Sequence, residues 1–319
     1  MRSLASRALR FTTGALVVYA LLFAGSEALV RLNGHANALY KISQAGAEPY
    51  DVLILGASHA MPLDFDGMNV HVEALAHGRV LNLAAQGTGP IYQGFALDEF
   101  LRRHRARRVI YAVDGFAFRA RDWNEDRLSD PGLLAHTPLS PGTARHLGSY
   151  VVHEGVDFRG WLDYVTGFSK VNDAKRFERD AWEGEAQFER SWRPSSSAVG
   201  KRISYLYPKG MDDAALKRTM SALDRVADSV RARGSELIII RMPLPDAFRT
   251  QLPPDRAFDD ALSRWVAVRR IGYRDFSAAI PEPGFYFDSD HLNREGVRRF
   301  LGVLGPVLRD DTQPAPVAR

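Results

Sequence analysis

The chain has 319 residues, 45% of them apolar and 25% charged, the balance of a folded globular protein with room for one large domain or two small ones. Its formal net charge is only +4 and its basic residues are spread out, which argues against nucleic acid as a partner. It has no cysteine, which excludes disulfides, thiolate metal sites and a cysteine nucleophile.

The chain opens with Arg2, Arg7 and Arg10 and no acidic residue, then runs into a mainly apolar stretch from Phe11 to Val30. The core of that stretch, Ala15 to Ala24, carries no charge; Glu27 interrupts its far end and Arg31 closes it. About twenty apolar residues cross a bilayer, so the stretch is just long enough. Positive charge ahead of it predicts a cytoplasmic N-terminus, with the rest on the outer, periplasmic or extracytoplasmic, side. A cleaved signal peptide competes, because Ala24-Gly25-Ser26 offers small residues. Length favours an uncleaved anchor over residues 1–32, and either reading exports the remainder. The buried helix of a soluble protein fits less well, since the stretch lacks a polar face.

Residues 33–48 read as a short stalk. Asp51 to Leu55 is then a continuous apolar run ending at Gly56, the mark of a strand buried on both faces. Arg79 to Leu83 is a second strand, ending in Ala84-Ala85-Gln86-Gly87. Pro90 to Arg105 is a helix with Pro near its first turn, and Val109 to Val113 is a third strand. The dense basic run Arg102 to Arg108 sits between that helix and that strand, where cations suit helix carbonyls. Residues 119–208 break the rhythm and are rich in turn formers and aromatics, among them Trp123, Trp161, Trp182 and Trp192, which predicts an inserted subdomain. Alternation resumes with a helix over Asp212 to Arg233, stopped at Gly234, and strands at Glu236 to Ile240 and Tyr273 to Phe276. A last helix runs from Arg294 to Leu308 with Asn293 as its N-cap. The tail 310–319 is polar and expected to be disordered. Strands alternating with helices predict a parallel sheet covered on both sides, a three-layer α/β/α arrangement of flavodoxin-like type spanning residues 33–309.

In such sheets ligands bind beyond the carboxyl ends of the strands, and three of those ends stand out. After the first strand comes Gly56-Ala57-Ser58-His59; a serine there can present its hydroxyl at the sheet edge while the same turn supplies an oxyanion donor. A helix N-cap is the plainer role for Ser58. After the second comes Asn82 to Gly89, a glycine-rich turn able to bring a backbone N–H close to a bound carbonyl, without the lysine of a phosphate loop. Before the last helix comes Asp288-Ser289-Asp290-His291-Leu292-Asn293, where Asp288 can fix the tautomer of His291. A metal pair or a capping cluster would use the same residue types, and Asp290 and Asn293 read as capping residues.

The order and spacing of these blocks resemble the SGNH (GDSL-type) hydrolase superfamily. That resemblance implies Ser58 as nucleophile, His291 as general base, Asp288 as its orienting acid, and an oxyanion hole from Ser58 and Gly87. It implies neither cofactor nor metal. Within the superfamily the anchor, Gly-x-Ser-His in place of Gly-Asp-Ser, and the insertion look most like anchored proteins that acylate envelope polymers, as in alginate O-acetylation and teichoic acid D-alanylation. The implied partners are an acylated donor, a glycan acceptor and an integral-membrane acyltransferase. The third block departs from the pattern: the strand ends Val113-Asp114-Gly115, where an asparagine usually serves the oxyanion hole. An ionised aspartate cannot donate to an oxyanion, so Asp114 is structural, is protonated, or binds an acceptor hydroxyl. His59, Asn82, Gln86 and Asp114 are expected to line the pocket. A second function stays open, a non-catalytic assembly or glycan-binding protein on a degraded hydrolase fold.

Overall fold

A computed structural model of the chain describes residues 2–34, 36–175, 178, 181–207 and 213–309. The predicted tail 310–319, Asp212 at the start of one predicted helix, and His35 lie outside the described residues. In chain order the helices are α1 (Arg2–Asn33), α2 (Ala38–Gln44), α3 (Met68–Ala76), α4 (Pro90–Leu101), α5 (Pro131–Ala135), α6 (Pro141–His153), α7 (Phe158–Thr166), α8 (Phe168–Asn172), α9 (Ser196–Leu206), α10 (Asp213–Ala232), α11 (Asp246–Arg249), α12 (Arg256–Arg269) and α13 (Arg294–Arg309). The strands are β1 (Tyr50–Gly56), β2 (Val80–Asn82), β3 (Ala106–Ala112), β4 (Glu236–Arg241) and β5 (Gly272–Asp275).

All strand pairs are parallel, in the order β2-β1-β3-β4-β5. That is the flavodoxin-like order, and the fold class matches the sequence-based expectation. The reason is visible in β1, where Val52, Leu53, Ile54 and Leu55 are all buried. A strand covered on both faces needs apolar residues at every position rather than every second one. Val52, Ile54, Ile110, Ile238 and Ile240 join one core with Met68 and Val72 of α3 and Phe300 and Leu304 of α13. The alternate residues point the other way, where α4 and α10 lie.

Arg108 corrects the reading of the basic run. It is buried on β3, pairs with Glu236, and donates to the carbonyls of Val307 at 2.8 Å and Leu308 at 3.3 Å. The helix C-terminus it serves is that of α13, not that of α4 before it.

The chain divides into two compact units. One comprises residues 1–43 and 128–181; the other comprises 44–127 and 182–319 and contains the sheet. The expected insertion, 119–208, is thus shared between them. Helix α1 is long and apolar enough to cross a membrane over Leu4–Asn33.

Candidate active site

The site is assembled in the sheet-bearing unit, where the order 2-1-3 brings the loops after β2, β1 and β3 side by side at the carboxyl edge. Strand β1 ends at Gly56, where a Cβ would press on the Ala112 carbonyl of β3 at 2.9 Å. Ala57 is extended, and Ser58 opens a 3-10 stretch, Ser58–Gly67. The N-cap position of that stretch is held by Ala57, not by Ser58. The Ser58 Oγ lies 2.9 Å from Nε2 of His291, so the capping role is not the one it plays.

His291 and its acid arrive on one short loop. Phe287 N donates to His291 O, Asn293 N donates to Phe285 O, and Tyr286 and Leu292 form a bridge, which folds residues 286–292 back on themselves. Asp288 Oδ1 accepts from the backbone N–H groups of Asp290 and His291, and both its carboxylate oxygens lie 2.9 Å from His291 Nδ1. The carboxylate therefore fixes the turn and the ring together. Nδ1–H pointing at Asp288 leaves Nε2 as an acceptor for the Ser58 hydroxyl, the tautomer a general base needs. Asn293 caps α13 as expected, accepting from Gly296 N at 2.9 Å.

Asp290 and His59 form a second layer that sequence reasoning missed. Asp290 does not cap a helix. It is fully buried, sits 3.0 Å from His59 Nε2, and accepts from the Arg202 guanidinium at 2.9 and 2.8 Å. His59 Nδ1 lies 2.6 Å from Asp114 Oδ1. Burial pushes the His59 imidazole down, but the carboxylates on its two nitrogens outweigh that, Asp114 first, and raise it to about 10. Burial likewise pushes Asp290 up, and the neighbouring His291, His59 and Arg202 hold it well below the usual carboxylate range.

This chain of groups accounts for the departure at Asp114. Its Oδ1 is spent on the His59 ring, while its Oδ2 is buried with no hydrogen-bond partner among the described residues. Around His291 the carboxylates of Asp288, Asp290 and Asp114 face two cations, His59 and Arg202, which leaves one net negative charge. The His59 and His291 rings lie 5.0 Å apart. No pattern in the sequence announces the pairing. Arg202 is 88 residues from Asp290, and Asp114 is 55 from His59.

The loop after β2 is held by residues with no motif of their own. Gln93 Nε2 donates to the Gly56 carbonyl and to Thr88 Oγ1, and Thr88 Oγ1 reaches the Gly56 and Ala85 carbonyls. Gly87 is buried in a left-handed conformation (φ +60°), and a Cβ there would meet the Trp123 ring at 2.7 Å. Both facts demand glycine. Asn82 is a correction: its amide donates to Ala60 O and accepts from Ala84 N, so it braces two backbones instead of lining a pocket. Gln86 is exposed at the turn.

Aromatic rings surround the site. Phe287 stacks on His291, Trp182 meets that ring edge-on at 4.8 Å, and Phe116, Trp123 and Tyr205 continue outward from His59. Ser58 is 4% exposed and His291 1%, so both side chains are covered. Trp161 belongs to the other unit, bonded to Ala144 O, and Trp192 packs on the sheet core. Beyond the ends of β3 and β4 lies a cavity of about 250 Å³ bordered by Asp114, Tyr207, Arg241 and Arg249. His59, Asp290 and His291 also bring possible metal-ligand atoms within 4.8 Å of one another. All four ring nitrogens there already have partners, so a cation would have to displace the network rather than fill a gap.

No protein-family model matches the chain, and no curated protein matches it. Among solved structures, a Bacteroides fragilis protein provisionally described as an acylhydrolase matches at 8% identity and a TM-score of 0.43, over 84% of this chain and 93% of that one. A likeness of that size carries no argument about the chemistry of this chain. The geometry has to stand alone.

Proposed function

We propose that the chain is a serine esterase or O-acyltransferase of the SGNH type, anchored in the membrane by α1 and acting on a cell-envelope glycan. One observation carries the reading: the continuous hydrogen-bonded path Ser58 Oγ, His291 Nε2, His291 Nδ1, Asp288 at the carboxyl edge of a parallel sheet. In the first half-reaction His291 takes the Ser58 proton as Oγ attacks the donor ester, then passes it to the departing alkoxide. In the second, His291 takes a proton from an acceptor hydroxyl or water, which attacks the acyl-serine, and returns that proton to Ser58 Oγ. The backbone N–H groups of Ser58 and Gly87 are the proposed oxyanion donors.

The aromatic wall of Trp123, Tyr205 and Trp182 suits the faces of sugar rings, and the cavity beside Asp114 gives an acceptor room. An integral-membrane acyltransferase is the proposed source of the acyl group, and the sheet-bearing unit is proposed to lie on the outer side. Treatment with a fluorophosphonate tests the chemistry. Intact-mass analysis should give one adduct, mapped to Ser58 and absent in His291→Ala. A well-folded sample that takes no adduct would sink the catalytic reading. The near-complete burial of Ser58 and His291 favours the second reading, a non-catalytic assembly or glycan-binding protein. That reading requires Ser58→Ala to leave the cellular phenotype intact.

A further inference from the structure

The unit built from residues 1–43 and 128–181 wears its apolar residues on the outside. On α1, Leu16, Val17, Val18, Leu21 and Leu22 are all more than half exposed. On α6, α7 and α8, so are Val152, Phe158 and Phe168, with Leu162 close behind at 44%. For a water-facing surface this is costly; exposed patches of this kind mark contact with a partner or a membrane.

How α7 and α8 lie against α1 says which. Tyr19 OH donates to the Thr166 carbonyl at 2.9 Å, a Cβ at Gly167 would overlap the Phe23 ring, and Lys170 Nζ donates to Glu27 Oε2 at 2.5 Å. Tyr19, Phe23 and Glu27 are spaced by four, so they form one stripe along α1. As the chain advances from 166 to 170, its contacts advance from 19 to 27. Helix α8 therefore climbs beside α1 from the turn at Gly167, which is in a left-handed conformation (φ +67°), and α7 reaches that turn with Thr166 on Tyr19. Eight residues of α-helix rise about 12 Å. The turn thus reaches about 12 Å below Glu27, alongside the uncharged core of the apolar stretch.

Polar groups follow the same gradient. Glu27, the charge that interrupts the stretch, is tied to Lys170, to Arg31 at 2.8 Å, and to the Leu139 N–H. Lys170, itself buried, also donates to the Thr137 carbonyl. Near the turn Asp163 is an exception to that gradient, its carboxylate accepting from Ser169 N at 2.7 Å. Phe158 stacks on Trp161 about 12 Å up α7 from Thr166, with Arg159 exposed next to it, an arrangement suited to the headgroup level.

We propose that α7 and α8 form a finger that enters the outer leaflet beside the anchor, with Leu162 and Phe168 in contact with lipid acyl chains. The proposal rests on the anchor reading of α1 and not on the chemistry at Ser58. It also gives α1 a reason to be retained, because cleavage near Ala24 would remove Tyr19 and Phe23 from the finger.

The test uses the full chain in phosphatidylcholine–phosphatidylglycerol vesicles. Because the chain has no cysteine, the single variants Leu16→Cys, Leu162→Cys, Phe168→Cys and Val268→Cys each take one nitroxide label, and all four positions are exposed. Collision with dissolved oxygen against a water-soluble nickel chelate reads depth. Labels at 16, 162 and 168 should favour oxygen and lose nickel accessibility relative to 268. If 16 is shielded while 162 and 168 are as open to nickel as 268, the finger is overturned and the anchor survives. If 16 is also open, or intact mass shows the first residues removed, the anchor falls and the finger with it. Fluorophosphonate labelling of Ser58 on the same samples reports the catalytic reading separately.

Discussion

The two units of the chain solve the burial problem in opposite ways. In the sheet-bearing unit the apolar residues are inside and the surface is charged, as in β1, whose four central residues are out of solvent. Its buried ions, His59 and Asp290, are paired with each other and with the half-buried Asp114 and Arg202. In the other unit Leu16, Leu21, Phe158 and Phe168 face outward, while Asn37, Thr137 and Lys170 are buried among hydrogen bonds. If α7 and α8 enter the leaflet as proposed, one unit is folded for water and the other for a medium in which polar groups must be satisfied internally. The difference teaches that composition averaged over the chain hides two distributions of apolar surface.

Five substitutions sharpen that comparison. The largest effect is expected at Ser58: Ser58→Ala should lower acyl turnover by roughly 10⁴-fold or more, with the thermal transition nearly unmoved. An assay of ester release beside a melting curve checks both. Next is His59→Ala, which leaves Asp114 and Asp290 facing each other without their cation. Breaking such a buried pair costs about 3–5 kcal/mol, so this variant should lose stability as well as activity.

The same group gives a pH signature. His59 is raised from 6.5 to about 10 in the folded chain, so its stabilising contribution is complete below 6.5 and disappears as pH rises through about 10. In Asp114→Asn the loss should begin at lower pH, because one of the raising carboxylates is gone. Melting temperature measured between pH 7 and 11 decides this; identical curves would count against the ion pair. Gly87→Ala should cost about 1–2 kcal/mol through the left-handed backbone and the Trp123 contact, and slow acylation more than it weakens binding. The smallest effect on chemistry is expected for Phe168→Ser. Ser58 labelling in detergent should be unchanged, while membrane retention falls by roughly 2 kcal/mol of lost apolar transfer.

Much of the sheet was legible because two-sided burial writes itself as unbroken apolar runs, and the strand ends then flagged Ser58, Asp288 and His291. Asp288 and His291 were the easiest to see, being three residues apart on one turn. Asp290 was misread because an aspartate before a helix looks like a cap, and nothing local shows that a guanidinium from α9 reaches it. Asn82 was misread for the converse reason: a strand-end amide has the chemistry of a ligand group, and only the fold shows its two ends already taken by Ala60 and Ala84. The outward-facing Leu162 and Phe168 carried no signal, because the period of an amphipathic helix does not say which face meets solvent.

On the proposed insertion, the cluster of Glu27, Lys170 and Arg31 would act as a draught line for the unit that carries it. Sliding α1 inward by one turn would submerge a compensated charge; sliding it outward by one turn would wet Phe168 and Leu162. Both displacements would be opposed, so that unit would float at one height in the bilayer.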